Sequence, residues 1–210
     1  MTRAAGRPRV HTQFDRMVIA KAGLALVDHR GLDALTLRNL ASELGVGTTT
    51  VYRHVSSKDE IALDVVALLF AEMSLDPQPG DGLGDWIRRA AFSMRAMALR
   101  HPRAFPLYAT APVDKAPVLD YARRFLRALG AYGVAEKQAV AALQVFGGYL
   151  TGFLLQEAAE KVRLLDAPTA SAHEEDPLRD QMALLHRGDT FAMGLDAVYE
   201  GLRHLQVLRI

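Results

Sequence analysis

The apolar residues of this chain recur at i, i+3, i+4 and i+7 almost throughout, and no stretch alternates with period two over a convincing length. A 3.6-residue period buries one face of a helix, whereas a half-buried strand needs period two. The chain is therefore expected to be all-α. The first helix is expected over about 12–30, with Ile19, Gly23, Leu26 and Val27 on one face and Gly31 as its C-terminal stop. Thr36 can cap a second helix carrying Leu37, Leu40, Ala41 and Leu44, which Gly45 ends. A third runs over about 48–55. Ser57-Lys58-Asp59-Glu60 has the form of a capping box before the apolar run of Ile61, Val65, Leu68 and Leu69.

Asp76-Pro-Gln-Pro-Gly-Asp-Gly-Leu-Gly84 is the clearest break, because its prolines and glycines do not continue a helix. It divides an N-terminal unit, 1–75, from a larger unit, 76–210. Beyond it, Trp86, Ala90, Met94 and Met97 mark a helix that Pro102 must end. Residues 103–116 are short and proline-broken. Pro117 suits the first turn of a helix carrying Val118, Ala122, Phe125 and Leu129. A long helix is expected over about 135–162, with Leu143, Phe146, Leu150 and Phe153. The segment 164–177 is small and charged, as in a loop. A last helix from about 189 carries Phe191, Leu195, Val198, Leu202 and Leu205.

Half of the 210 residues are hydrophobic, so a substantial core is attainable. No apolar run is expected to approach the roughly 18 residues of a membrane span, since Arg, Glu, Asp or Gly interrupts each one. The first residues lack the apolar core of a secretory signal. The absence of cysteine excludes disulfides, thiolate metal sites and cysteine nucleophiles. A cytoplasmic protein with no membrane partner is the simplest expectation.

Charge is distributed unevenly. Residues 1–60 hold nine Lys/Arg against six Asp/Glu, while the remainder holds sixteen against eighteen. Arg3, Arg7 and Arg9 precede the first acid, Asp15. A cationic arm leading into a small basic unit suits a polyanion.

The segment 37–60 gives that polyanion a reading surface. Two short helices joined by a turn containing Gly make a helix-turn-helix, whose second helix enters the major groove. Such a helix needs an apolar seam and a hydrogen-bonding face. Val51 and Val55 supply the seam; Thr48, Thr49, Thr50, Tyr52, Arg53 and His54 supply the face. Threonine hydroxyls bond bases or phosphates, and their methyls touch thymine methyls. A merely solvated helix gains more from Ala, Glu, Lys or Gln than from three β-branched threonines in a row. Lys58 can meet a phosphate at the next helix's N-terminus.

The segment from about Phe14 to Ala71 closely resembles the DNA-binding domain of TetR-family transcriptional regulators. The resemblance lies in Gly31 before helix two, the Thr36-x-x-x-Leu40-Ala41 core, Leu44-Gly45-Val46, Tyr52 near the end of the recognition helix, and Lys58 opening helix four. It implies DNA contacts from Arg38, Thr48, Thr49, Thr50, Tyr52, His54 and Lys58, with Arg38 reading a base from helix two. Gly47 stands where the family often has a larger or more polar residue. The resemblance further implies a three-helix head joined by a shared helix to a larger helical domain that binds an effector and forms a homodimer. The two long C-terminal helices fit an intersubunit four-helix bundle, with Gly147, Gly148, Gly152, Gly194 and Gly201 allowing close approach. An ordinary intramolecular core would have the same periodicity.

The C-terminal part is similar, more loosely, to the tetracycline repressors, which grip a magnesium–drug chelate. Leu107, Gly148 and Gln156 fall at the chelating positions and remove the oxygen and imidazole donors. No metal and no cofactor are expected. An effector pocket is expected to draw on Trp86, Phe92, Met94, Phe105, Tyr108, Phe125, Gln144, Tyr149 and Gln156, and so to favour a largely apolar molecule. His101 is either a further effector ligand or a solvent-facing helix-end residue. The functional expectation is a ligand-responsive regulator, commonly a repressor, that binds a near-palindromic operator in double-stranded DNA as a homodimer and is released by a small molecule. The alternative is a helical enzyme or small-molecule carrier with an accessory DNA-binding domain. No nucleophile elbow, zinc-protease motif or phosphate loop occurs, so no enzyme is expected.

Overall fold

The protein is described by a computed structural model over residues 15–167 and 188–208. The basic arm, the expected start of the first helix at Thr12, and most of the expected loop after Ala167 lie outside the described residues. The described chain is all-α: α1 (Arg16–Arg30), a turn of 3-10 helix (Leu32–Ala34), α2 (Leu37–Glu43), α3 (Thr48–Tyr52), α4 (Lys58–Ala71), α5 (Leu83–Arg100), α6 (Phe105–Ala109), α7 (Ala116–Ala131), α8 (Glu136–Asp166) and α9 (Gly188–His204).

Local chemistry sets the helix ends. Asp15 Oδ1 accepts the Val18 N–H at 2.9 Å and starts α1. Thr36 Oγ1 accepts the Asn39 N–H at 3.1 Å, and Ser57 Oγ accepts the Glu60 N–H at 3.1 Å. At the end of α2 the Val46 N–H bonds the Ala41 carbonyl and the Gly45 N–H bonds the Ser42 carbonyl. This double closure needs a left-handed residue, and Gly45 takes it at φ +64.

The first three helices form a small head. Ile19, Gly23, Leu26 and Val27 of α1 are buried, as their spacing predicts. Gly23 lets α1 approach α4 closely: a Cβ there would stand 3.2–3.3 Å from Ile61, Leu35 and Val65. The shared helix α4 packs on α1 and also on α6 and α7, so it belongs to both the head and the larger helical domain. In that domain α8 packs against α5, α6, α7 and α9. Arg95 of α5 forms a bidentate pair with the buried Glu157 of α8, and its guanidinium lies 5.3 Å from the Phe191 ring of α9.

Several elements differ from the sequence expectation. α8 runs four residues further, to Asp166. By length and mean hydropathy it could cross a membrane, because only glycines and neutral residues interrupt its apolar run and these do not lower the mean as a charge would. α9 stops at His204; Gln206 then takes φ 60, Leu208 turns into the core, and Leu205 is left 71% exposed. Gly194 does not face outward. A Cβ there would stand 2.3 Å from the Tyr149 hydroxyl, so it is a close-approach point within the protomer.

Candidate nucleic-acid interface

The turn Leu44–Gly47 delivers α3 with Val51 and Val55 fully buried against the head's core. Burying that seam rotates the rest of the helix outward. Thr48, Thr49, Tyr52, Arg53 and His54 are exposed, and Thr50 is half-buried. Tyr52 keeps 57% of its surface accessible, a large ring on an outer face. Arg38 of α2 and Lys58 at the start of α4 are also exposed, so the eight residues named from the sequence lie on the accessible surface of α2, α3 and the start of α4.

α3 is shorter than its apolar spacing suggests. It ends at Tyr52, and residues 53–55 form a tight tail in which the Val55 N–H still bonds the Val51 carbonyl at 3.1 Å. The chain must turn there because Val55 inserts into the core and Ser57 starts α4 two residues later. The box around Ser57 is also only half of the expected one. The Glu60 carboxylate accepts the Ser56 N–H at 2.7 Å instead of reaching Ser57, and Arg16 of α1 pairs with both Glu60 and Asp64. The Ser56 N–H and the Arg16 guanidinium hold the Glu60 carboxyl below the usual carboxylate range. Lys58 Nζ lies back against the Leu32 carbonyl at 3.5 Å, a long and therefore weak contact.

The ten residues named for an effector pocket do not form one lining. Trp86, Met94, Phe105 and Phe125 are buried in the core, and the Trp86 indole N–H is satisfied by the Leu75 carbonyl at 2.8 Å. Phe92 is half-exposed, edge-on to Phe191. The Tyr149 hydroxyl donates to the Phe191 carbonyl at 2.8 Å. Gln144 and Gln156 are exposed on α8. His101 is not solvent-facing: it is 9% exposed, held between Asp28 and Glu72. The reason is tertiary, since the C-termini of α1 and α4 cover the end of α5.

Part of the aromatic set does assemble. Rings run in sequence from Trp86 to Phe125 (5.3 Å between centroids), Tyr121 (6.5 Å), Phe70 (4.6 Å), Tyr108 (4.9 Å) and Phe105 (5.2 Å). Phe70 and Tyr121 were missed by the sequence reading. Tyr121 stands one turn before Phe125, a spacing that could have signalled it. Burial pushes the Tyr121 hydroxyl up to about 12, and raises Tyr108, whose hydroxyl meets only the Met94 sulfur at 3.7 Å among its described contacts. A separate cleft of about 520 Å³ lies between the first half of α4 and the α6–α7 corner. Ala62, Leu63, Val66, Leu107, Ala111 and Pro112 give it an apolar lining, and Asp59, Thr110 and Lys115 add polar groups. None of the ten named residues lines it.

Comparison with known proteins joins the two parts of the chain. Residues 19–65 match the family model of bacterial regulatory proteins of the tetR family, and residues 76–205 match that of the tetracyclin repressor-like C-terminal domain. The class G tetracycline repressor protein of Vibrio anguillarum is 28% identical over 207 residues, covering 93% of this chain and 96% of that one. The HTH-type transcriptional repressor DrrR1 of Streptomyces coeruleorubidus is 31% identical over 170 residues, 76% of this chain but only 61% of DrrR1's length. Among solved structures, a TetR variant of Acinetobacter baumannii AYE in complex with minocycline superimposes with a TM-score of 0.73 at 24% identity, covering 92% of this chain and 95% of that one. With a helix-turn-helix head, a helical C-terminal domain and both family models matched, the chain belongs to the TetR family of bacterial transcriptional regulators.

Proposed function

We propose that the protein is a ligand-responsive repressor that binds a near-palindromic DNA operator as a homodimer and releases it when a small molecule binds. The observation that carries this reading is the exposed face of Arg38, Thr48, Thr49, Tyr52, Arg53, His54 and Lys58 over the buried seam of Val51 and Val55, with Thr50 at its edge. Residues 1–75 form the DNA-binding unit, and 76–210 the effector and dimer unit.

Two helix faces left uncovered in the protomer support the dimer. On α8, Ala141, Gly148, Gly152 and Ala159 are exposed along one stripe, with Gln144 and Gln156 beside it. On α9, Met193, Ala197 and Gly201 do the same at four-residue spacing, and Leu205, just past its end, is exposed too. Gly148, Gly152 and Gly201 have nothing within 4 Å of an added Cβ. Only 28% of the apolar window of α8 is buried in one protomer. A second copy that stacks the same helices would cover both stripes and form a four-helix bundle.

The effector is a largely apolar organic molecule bound without a metal. The largely apolar cleft beside α4 suits such a ligand, and a molecule in it would press on α4 a turn or two beyond Ser57. A ligand that favours one pose of α4 over another must shift DNA affinity, and DNA must shift ligand affinity equally. The test is selection from a random-sequence duplex pool, followed by competition at physiological salt. A two-fold symmetric selected site, bound by a dimer in light scattering, is the expected result; equal affinity for every duplex would refute the reading.

A further inference from the structure

Three helix C-termini converge on one side chain. Asp28 lies in the last turn of α1, Glu72 is the C-cap of α4, and His101 is the C-cap of α5. His101 Nδ1 stands 2.6 Å from Asp28 Oδ2, and Nε2 stands 2.9 Å from Glu72 Oε1. We propose that His101 is a positioning residue for DNA binding: bonded to Asp28 and Glu72 together, it locks the helix-turn-helix head to the α5–α6 corner and fixes the pose in which α3 meets the duplex. The proposal rests on the DNA-binding reading above.

The hydrogen-bond inventory gives the lock its chemistry. A carboxylate only accepts, and a neutral imidazole has one N–H donor. The imidazole sits between two acceptors on different helices, one carboxylate at each ring nitrogen. The surroundings favour a donor-rich group there. The negative ends of three helix dipoles meet there, and two carboxylates at helix C-termini are unfavourable without a positive partner. Asp28 Oδ1 is buried with no hydrogen-bond partner, so the Asp28 charge depends on its neighbours. Burial pushes the Asp28 carboxyl up, and the bond to His101 pulls it back.

The other charged groups around the lock are distributed over every helix packed there. His29 follows Asp28 on α1 and acts electrostatically on its carboxyl. Arg100 of α5 pairs with the second oxygen of Glu72. Arg103, in the turn after α5, donates to the Asp28 carbonyl at 3.1 Å and pairs with Asp166 of α8. Lys161 of α8 donates to the Leu99 carbonyl. Arg100 and Arg103 each engage one side of the cluster, and among the described residues only His101 bonds both the Asp28 and the Glu72 carboxylates. Its loss removes the side chain that bridges the two carboxylates and leaves the α5 corner tied to the head through the arginine contacts alone. A head that rocks must be ordered again on DNA, and that ordering costs affinity.

The experiment uses the full chain and a duplex it selects from a random-sequence pool, with affinity measured by fluorescence anisotropy over a salt series. His101→Ala is expected to bind about tenfold more weakly with an unchanged salt slope, and His101→Lys, which keeps donors for both carboxylates, to recover most of the loss. Unchanged or tighter binding by His101→Ala, or a changed salt slope, would overturn the proposal. If His101→Ala fails to fold, as judged by its thermal transition, Glu72→Gln replaces it with the same expected loss. Nitrogen-15 relaxation of the backbone amides reads the lock without DNA: His101→Ala should raise the mobility of residues 16–55 relative to the larger domain, and unchanged relaxation overturns the proposal. Failure to select any duplex refutes the DNA-binding reading, and the relaxation result then decides the lock alone.

Discussion

The Glu60 carboxylate accepts the backbone N–H of Ser56 at 2.7 Å, one residue before the Ser57 hydroxyl that caps the same helix. The tail of the recognition helix is thereby tied to α4, and through Arg16 to α1. The loop that carries α3 into α4 is thus held by a side chain of α4 itself, which couples the orientation of one helix to the other.

The cap and the tie can be removed separately, each with a measurable consequence. Ser57→Ala should destabilise the head by about 1 kcal/mol, the usual cost of a lost cap. The folded Glu60 carboxyl titrates below its ordinary value of about 4.3. Its contribution is therefore present above that ordinary value and lost as pH falls through the folded one. The urea midpoint of wild type should exceed that of Glu60→Gln at pH 7, and the gap should close towards pH 3. A gap independent of pH would contradict the assignment.

Two classes of glycine should separate by stability and assembly. Gly194→Ala places a Cβ 2.3 Å from the Tyr149 hydroxyl and should cost about 1–3 kcal/mol as overpacking. A Cβ added at Gly152 or Gly201 meets nothing within 4 Å in the protomer, so Gly152→Leu and Gly201→Leu probe the uncovered stripes. They should leave far-ultraviolet circular dichroism unchanged but shift the sedimenting species from dimer to monomer.

Readers and anchors on the DNA face should also separate. Arg38→Ala or Thr49→Ala should cost about 1–3 kcal/mol on the selected duplex and relax base preference. Lys58→Ala should weaken all duplexes alike and lower the salt slope by about one. Anisotropy titrations over a salt series, on selected and scrambled duplexes, distinguish these outcomes.

The cleft beside α4 gives a fourth test. Val66→Trp should fill it and abolish DNA release by any compound whose binding is competed at that site, while the free protein still binds its duplex. Calorimetric titration with lipophilic compounds, and with tetracycline with and without magnesium, measures the binding arm. Magnesium-dependent tetracycline binding would contradict a metal-free pocket.

The helical period, the caps at Thr36 and Ser57, and the outward threonine face of α3 were legible in the sequence. Each depends on residues within about four positions of one another, where backbone geometry alone relates side chains. Burial of Val51 and Val55 follows from the same rule. What only the tertiary structure decided lies between distant segments. His101 reads as an ordinary helix end until Asp28 and Glu72, 73 and 29 residues away, are brought against it. Gly194 and the other glycines look alike until Tyr149 fills the space beside one of them. Gln144 and Gln156 belong to an apolar helix whose outward face is set by which side α5, α7 and α9 cover. A local pattern specifies which residues share a helix face; the packing of other helices specifies whether that face becomes core, cleft or exposed surface.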